Sequence, residues 1–223
     1  MLVIVDYKMG NLGSILNMLR RQDVPATISS DLQVIRDASA LILPGVGSFD
    51  HGMRQLGELG IEPVLQAKVL REKTPILGIC LGMQLLTRRS DEGQLPGLGW
   101  IDAETKRFGP ERFDQPRKVP HMGWNFVEPR QRHPLFDDPG PFRFYFVHSY
   151  HVCCQDPADV LGVSHYGYPF TAAVCRDNIL GVQFHPEKSH RFGWKLLANF
   201  ARYCEYVSSQ SDPVLVGGWR KAG

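Results

Sequence analysis

One cysteine in the sequence lies in a setting that would activate it. Cys80 is the central residue of Gly78-Ile79-Cys80-Leu81-Gly82, which follows an apolar run and precedes a helical pattern. A sharp turn from strand to helix strains its central residue and exposes the side chain, and flanking glycines avoid the resulting clashes. The N-terminus of the following helix favours a thiolate and offers N–H groups to an oxyanion. We therefore interpret Cys80 as a nucleophile, although an isolated cysteine is ordinarily a small buried apolar residue. The remaining cysteines are interpreted as structural: Cys153, Cys154, Cys175 and Cys204.

His185 and Glu187 form the second candidate feature. His185 ends the apolar run 179–184 and precedes Pro186 and Glu187. Proline favours extended geometry in the residue before it, and residues two apart in an extended segment face the same side. Glu187 can then hold the His185 imidazole in one tautomer, as the acid of a Cys–His–acid triad does. The sequence thus predicts a triad of Cys80, His185 and Glu187.

A third feature is the turn Pro44-Gly45-Val46-Gly47, which ends another apolar run. Its glycines would let the backbone approach a ligand closely. An ordinary tight turn has the same composition, so this segment alone does not decide between the two interpretations.

The elements that must position these residues can be inferred from the apolar pattern. In the first half of the chain, short apolar runs alternate with segments that have apolar residues at helical spacing. This alternation predicts a doubly wound α/β fold, with a mostly parallel sheet covered by helices on both faces. Ligands bind at the carboxyl ends of the strands in such sheets, which is where Gly10, Gly45 and Cys80 fall. The predicted strands are 2–6, 26–29, 40–43 and 75–80, and the predicted helices are 12–19, 50–59, 62–73 and 81–89.

The second half of the chain reads as strands with few helices between them, which predicts an antiparallel β extension of the sheet. The predicted strands are 100–108, 119–127, 143–152, 160–165 and 172–184, followed by a helix over 191–207. We expect a single domain over 1–207. Residues 208–223 are rich in Ser and Gly and are expected to form a flexible C-terminal tail.

Composition excludes several classes of protein. The 223 residues carry a net charge of +2, which does not favour binding to nucleic acid or membranes. The sequence contains no apolar run of transmembrane length, and the N-terminus does not have the pattern of a signal peptide. Five cysteines without C-x-x-C spacing indicate a reduced, cytoplasmic protein without a zinc site. No other metal or cofactor motif is present.

Three segments together resemble the class I, or triad, glutamine amidotransferases. They are Pro44-Gly45-Val46-Gly47-Ser48-Phe49, Gly78-Ile79-Cys80-Leu81-Gly82-Met83-Gln84 and Gln183-Phe184-His185-Pro186-Glu187-Lys188-Ser189. Within this family the chain is most similar to the glutaminase subunits of imidazole glycerol phosphate synthases, because Pro-Gly-Val-Gly replaces the usual Pro-Gly-Gly. Two further segments of that subfamily are similar, Pro120-His121-Met122-Gly123-Trp124-Asn125 and Tyr145-Phe146-Val147-His148-Ser149-Tyr150. The resemblance extends over about residues 2–203.

The resemblance implies a role for each matching residue. It implies that Cys80 attacks the carboxamide of glutamine, that His185 transfers protons and that Glu187 orients His185. Backbone N–H groups of Val46 and Leu81 would hold the oxyanion, with the Val46 N–H available only when a partner is bound. The expected contacts to the amino-acid end of glutamine come from Gly47, Gln84, Ser149 and Tyr150. The expected contacts to a partner come from Asn11, Trp124 and Lys188. That partner would be a (β/α)₈-barrel synthase subunit, bound as a heterodimer, which uses the ammonia to make imidazole glycerol phosphate and an aminoimidazole carboxamide ribotide in histidine biosynthesis.

The sequence also departs from this pattern. Lys8 follows Asp6-Tyr7 where the subfamily usually has glycine, and the segments 90–104 and 189–193 are similar to a side branch. Members of that branch supply ammonia to sugar amidotransferases in surface-polysaccharide synthesis. The glutaminase chemistry would be the same, and only the acceptor would differ.

Two alternatives of other classes remain open. A stand-alone cysteine hydrolase, such as a γ-glutamyl hydrolase or an intracellular peptidase, would share the cysteine turn and the histidine but would need no partner. A non-enzymatic binding module would keep the fold without using Cys80, and the presence of all three triad candidates argues against it.

Overall fold

The computed structural model describes residues 1–210, which form one mixed sheet flanked by helices. The strands are β1 (Leu2–Val5), β2 (Ala26–Ser29), β3 (Ala40–Gly45), β4 (Ile76–Cys80), β5 (Arg89–Ser90), β6 (Ala103–Arg107), β7 (His121–Pro129), β8 (Phe142–His148), β9 (Tyr150–Cys154), β10 (Val160–His165), β11 (Pro169–Arg176) and β12 (Ile179–Val182). The helices are α1 (Leu12–Arg20), α2 (Leu32–Arg36), α3 (Phe49–Glu58), α4 (Ile61–Gln66), α5 (Leu81–Leu85) and α6 (His190–Gln210). A π-helical turn, Ala67–Arg71, continues α4.

The parallel half of the sheet has the strand order β2-β1-β3-β4-β12. Its central strands are buried on both faces, because alternate residues enter two separate apolar cores. On β1, Ile4 packs into one core and Val5 into the other. On β3, Ile42 and Leu43 divide in the same way. The predicted α/β fold with helices on both faces is confirmed.

The antiparallel extension is also present, and it continues from β12 through β11, β10 and β7 to β8. Two of the predicted strands each cover two separate strands. The predicted strand 143–152 divides at Ser149 into β8 and β9, and the predicted strand 172–184 is a hairpin of β11 and β12. Its turn contains Asp177, which has a positive φ of 53°. Both turns are short polar interruptions, His148-Ser149 in the first and Arg176-Asp177-Asn178 in the second, so the predicted strands extended across them.

Helix α2 was not expected from the sequence. The side chain of Asp31 caps it by accepting hydrogen bonds from the N–H groups of Gln33 and Val34. At the other end of the chain, α6 continues to Gln210 and so covers the first three residues of the segment interpreted as a tail. Residues 211–223 lie outside the described part of the chain. No described helix is both long and apolar enough to span a membrane.

The topology brings four strand ends together. Because β1, β3, β4 and β12 are parallel neighbours, their carboxyl ends lie at one edge of the sheet. Gly45 ends β3, Cys80 ends β4, and His185 follows β12 by three residues. The fold therefore brings the three sequence segments that were singled out for chemistry to one edge.

Candidate active site

Cys80 occupies a strained turn between β4 and α5. Its backbone angles are φ 54° and ψ −107°, a region that residues with a side chain rarely adopt. The flanking glycines make this turn possible. A Cβ atom on Gly78 would stand 2.8 Å from the backbone of Gly82, and one on Gly82 would stand 1.8 Å from the carbonyl oxygen of Leu43. The sharp strand-to-helix turn predicted from the glycine spacing is thus what the structure contains.

The imidazole of His185 lies between a carboxylate and the cavity that Cys80 also lines. Glu187 Oε1 lies 2.7 Å from Nδ1, and both side chains are almost fully buried. The carboxylate accepts the Nδ1 proton, which leaves Nε2 without a hydrogen-bond partner among the described residues. Burial lowers the pKa of His185, but Cys80 and the carboxylate of Glu187 outweigh burial and raise it.

The backbone conformation that places Glu187 beside the His185 imidazole differs from the expected one. An extended segment was expected at this point, whereas Pro186–Lys188 forms a 3₁₀ turn. His185 itself is extended and is fixed by its neighbours. Its N–H donates to the carbonyl of Tyr145 at 2.9 Å, and its carbonyl accepts from the hydroxyl of Ser189 at 2.6 Å. The turn then returns the Glu187 carboxylate to Nδ1.

A cavity of about 480 Å³ joins most of the residues proposed from the sequence. It is large enough for a small amino acid and open at one side. The residues that line it are Val46, Gly47, Cys80, Leu81, Gln84, Glu92, Pro120, Val147, His148, Ser149, Tyr150, His185 and Lys188. Both expected oxyanion residues, all four expected substrate contacts and two members of the expected triad are in this set. Glu187 is not in it, because it lies behind His185.

Gln84 is engaged within the protein as well as lining the cavity. Its amide nitrogen donates to Gln183 Oε1 at 3.1 Å and to the carbonyl of Tyr150 at 3.3 Å. Tyr150, which also lines the cavity, therefore has its carbonyl engaged by Gln84. The roles of these residues toward glutamine are part of the proposal below.

Glu92 was not expected from the sequence. It is the only Asp or Glu among the described residues that line the cavity, and its Oε2 accepts a hydrogen bond from the N–H of Phe49 at 2.8 Å. This contact ties it to the first residue of α3. Glu92 lies within the segment 90–104 that was noted in the sequence, but no local pattern distinguishes it from the neighbouring acidic residues.

The three expected partner contacts are exposed, and one of them, Lys188, lines the cavity. Trp124 is stacked on His190 with 5.6 Å between ring centroids and 6° between planes. Lys188 lines both this cavity and a neighbouring one formed by α1 and the start of α6. Asn11 directly precedes α1, which packs against the turn that carries Lys188.

Trp124 belongs to a larger apolar surface on β7. Met122, Trp124 and Phe126 are 61%, 37% and 53% exposed and alternate along the strand, so they share one face. The guanidinium of Arg143 lies over the rings of Trp124 and Phe126, at 5.5 and 5.7 Å from their centroids. Exposed apolar surfaces of this kind mark interaction sites.

Within residues 1–210 no three His, Cys, Asp or Glu side chains are grouped closely enough to hold a metal ion. The described arrangement itself comprises a cysteine at a strained turn, a histidine oriented by a buried carboxylate, and an adjoining cavity with one acidic side chain. Such an arrangement can form and hydrolyse a covalent acyl intermediate.

Comparison with known proteins agrees with this geometry. The profile of the family described as glutamine amidotransferase class-I matches residues 3–203. The chain is 53% identical over 203 residues to imidazole glycerol phosphate synthase subunit HisH 2 of Methanococcus maripaludis, an alignment that covers 91% of this chain and 99% of the relative. It is 52% identical over 201 residues to the protein of the same name from Pseudomonas aeruginosa, with 90% and 98% covered.

Solved structures show the same fold at lower sequence identity. A crystal structure described as a glutamine amidotransferase superposes with a TM-score of 0.71 at 22% identity, covering 91% of this chain and 98% of the other. A glutamine amidotransferase from Thermotoga maritima gives 0.58 at 18% identity, covering 93% and 84%. The profile match spans nearly the whole described chain, and the chain belongs to the class-I glutamine amidotransferase family.

Proposed function

We propose that this chain hydrolyses L-glutamine to glutamate and ammonia, as the glutaminase subunit of an imidazole glycerol phosphate synthase in histidine biosynthesis. The observation that carries the chemistry is the position of Cys80 and His185 on one cavity wall, with Glu187 buried behind the imidazole. The relatives at 53% and 52% identity bear the name of that subunit, which supports the assignment to this synthase.

In the first half-reaction the Cys80 thiolate attacks the carboxamide carbon, and the carbonyl electrons move to oxygen. Backbone N–H groups of Val46 and Leu81 hold that oxyanion. His185, kept protonated by its raised pKa, then gives the Nε2 proton to the leaving nitrogen. The C–N bond breaks, which yields ammonia and a thioester on Cys80.

In the second half-reaction His185 acts as a base. Neutral His185 takes a proton from water, and the hydroxide attacks the thioester carbon. The C–S bond breaks, which releases glutamate and restores Cys80. Glu187 keeps the Nδ1 proton in place throughout, so that Nε2 always faces the reacting groups.

Recognition of glutamine requires groups for its ammonium and carboxylate. Glu92 provides the acidic side chain for the ammonium group, since the described cavity wall holds no other Asp or Glu. Gly47, Gln84, Ser149 and Tyr150 hold the remaining atoms of the amino-acid end. The carboxamide is thereby directed toward Cys80.

Ammonia must reach its acceptor without contact with bulk water, because in neutral water it becomes ammonium, which is not a nucleophile. We propose that a (β/α)₈-barrel synthase subunit covers the cavity mouth as the second member of a heterodimer. Its face would contact Asn11, Lys188 and the apolar row that contains Trp124. The exposed Met122 and Phe126 beside Trp124 support a docking surface at this position.

The experiment that tests the proposal is a glutaminase assay of the purified chain, alone and with the cyclase subunit of the same organism plus an analogue of the acceptor nucleotide. We expect stimulation of about 100-fold or more, the effect of completing one oxyanion-hole donor. High activity of the isolated chain would indicate a stand-alone hydrolase. Labelling of Cys80 by a glutamine-analogue electrophile without any stimulation would retain the glutaminase and assign the ammonia to a sugar amidotransferase.

A further inference from the structure

A buried row of hydrogen bonds ends on the sulfur of Cys80. Gln183 directly follows β12 and is fully buried. Its Nε2 lies 3.7 Å from Cys80 Sγ. This distance is within hydrogen-bond range for an N–H donor and a sulfur acceptor. No role for Gln183 follows from the triad, yet its side chain contacts the atom that would attack the substrate.

The direction of this hydrogen bond is fixed by a backbone carbonyl. The carbonyl oxygen of Tyr150 can only accept, so the atom of Gln84 that lies 3.3 Å from it must be the amide nitrogen. The same nitrogen lies 3.1 Å from one amide atom of Gln183, which must then be the acceptor oxygen. The other end of the Gln183 amide is therefore the nitrogen, and it faces Cys80. If the Gln84 amide were reversed, its oxygen would face the Tyr150 carbonyl oxygen, and if the Gln183 amide alone were reversed, two N–H donors would face each other in a buried site.

A second branch of the row holds the Tyr150 carbonyl in place. This oxygen lies 2.7 Å from His148 Nδ1, which must carry a proton. The other nitrogen of His148 accepts from His121 Nδ1 at 3.0 Å, and His121 Nε2 accepts from the amide of Asn125 at 3.3 Å. Both rings are buried and neutral, since burial lowers their pKa. Each ring therefore exists in one tautomer, and the carbonyl has little freedom to move.

We propose that Gln183 is a further catalytic residue, whose amide N–H stabilises the thiolate of Cys80, and that Tyr150 fixes the direction of this donation through Gln84. A hydrogen bond to the charged form of an acid favours that form. At the same time the donor prevents the sulfur from turning into the core. The inference concerns the nucleophile of the proposed glutaminase, but the ionisation of Cys80 can be measured without any turnover.

The test is a pH titration in which the ultraviolet absorbance of the Cys80 thiolate is measured. The absorbance of the same protein with Cys80→Ala is subtracted at each pH. In Gln183→Met, a side chain of similar length without an N–H donor, we expect the midpoint of titration to move upward by about one pH unit, the shift that loss of one charge-assisted hydrogen bond gives. The turnover number with the partner should fall about tenfold at neutral pH and recover as the pH is raised.

Two further variants separate this role from general stability. Gln84→Met keeps the Gln183 amide but removes the hydrogen-bond partner that sets its orientation. We therefore expect a smaller upward shift of the titration midpoint than in Gln183→Met. Asn199→Leu removes a buried amide that donates to the carbonyl of Leu135, away from the site, and should lower stability without moving the midpoint. A folded Gln183→Met protein that titrates as the wild type would overturn the proposal. If that variant does not fold, an unmoved midpoint in Gln84→Met overturns it instead.

Discussion

Gly82 lies against the backbone of Leu43, so that a Cβ atom at Gly82 would stand 1.8 Å from the Leu43 carbonyl oxygen. This contact joins α5 to β3 directly beneath the nucleophile. Neither partner can move away cheaply, because both atoms belong to backbone in the parallel sheet or at its edge. The position of Cys80 is therefore fixed by a contact that only glycine permits.

We expect Gly82→Ala to lower the free energy of unfolding by about 3 kcal/mol, the upper part of the range for overpacking. Glutaminase kcat/KM should fall about 100-fold, since a displacement near 1 Å at the nucleophile has that effect. Gly57→Ala is the matched control, because a Cβ there meets nothing within 4 Å and the residue lies within α3. That control should be neutral or slightly stabilising. Equal effects of the two substitutions on activity would contradict the argument.

The 2.7 Å contact between Glu187 and His185 supplies the second prediction. Glu187→Gln keeps the shape of the side chain but lets an amide N–H face Nδ1, which favours the wrong tautomer. We expect kcat to fall by about 10²–10⁴-fold, less than in His185→Asn or Cys80→Ala, since Glu187 orients and does not react. Single-turnover kinetics of glutamine hydrolysis would measure each step. A Glu187→Gln enzyme with wild-type kcat would contradict the triad.

The sequence allowed prediction of the elements whose signals are local. The parallel strands were predicted because each is a continuous apolar run that ends at a turn residue, and Cys80 was predicted because its glycines are adjacent to it. The boundary between β8 and β9 and the turn at Asp177 were missed, because each is only a short polar interruption between apolar or aromatic runs. At these two places the pairing of each strand with its neighbours in the sheet decides where the strand ends.

Residues whose importance depends on distant contacts could not be found in the same way. Glu92 reaches the cavity through a hydrogen bond to Phe49, 43 positions away in sequence. Gln183 and Cys80 are 103 positions apart and meet only because β12 pairs with β4. Before the sheet order was known, neither residue differed from any other polar side chain near an apolar run. A similar limit applied to Glu187, whose partner was predicted but whose 3₁₀ turn was not.

Glu92 provides a third prediction, on substrate affinity. Glu92→Gln retains an oxygen for the hydrogen bond from the Phe49 N–H but removes the negative charge. We expect KM for glutamine to rise about 10- to 100-fold, the effect of losing one hydrogen bond to a charged group, with kcat changed little. Steady-state kinetics would separate the two constants. A fall in kcat without a change in KM would show that Glu92 acts on the chemistry and not on binding.

Stability should depend on pH through the buried histidines. Burial lowers the pKa of His121 and His151 to about 4, and that of His148 well below its usual value. A nearby arginine, Arg117 for His121, acts in the same direction. The unfolded chain binds protons at these rings below about pH 6.5, whereas the folded chain does not. The stability that comes from keeping these rings neutral is therefore fully present above pH 6.5 and is lost as the pH falls toward 4.

Each of these rings contributes at most about 1.4 kcal/mol per pH unit to the decrease in the free energy of unfolding. His121→Phe should keep the aromatic packing against Phe146 and Tyr166 and reduce the slope between pH 5 and 6 by about one ring's share. Urea unfolding at pH 5, 6 and 7 would give the slopes. An unchanged slope in His121→Phe would mean that this ring is protonated in the folded protein.

The exposed row on β7 yields the final prediction. Trp124 is stacked on His190 and covered on one side by Arg143, so its ring is held in place before any partner arrives. A rigid aromatic side chain at the centre of an apolar surface has the properties of an interface hot spot. We expect Trp124→Ala to weaken binding of the synthase subunit by about 2 kcal/mol or more, which is about 30-fold in Kd.

Tyr206 is the control for this measurement, since it is 47% exposed on α6 and lies outside the β7 row. Tyr206→Ala removes a comparable exposed aromatic ring and should leave the Kd within about twofold. Titration calorimetry with the synthase subunit would measure both values, and thermal unfolding of the isolated chain would show that neither variant is misfolded. Similar losses of affinity in the two variants, or none in Trp124→Ala, would mean that the partner docks on another face.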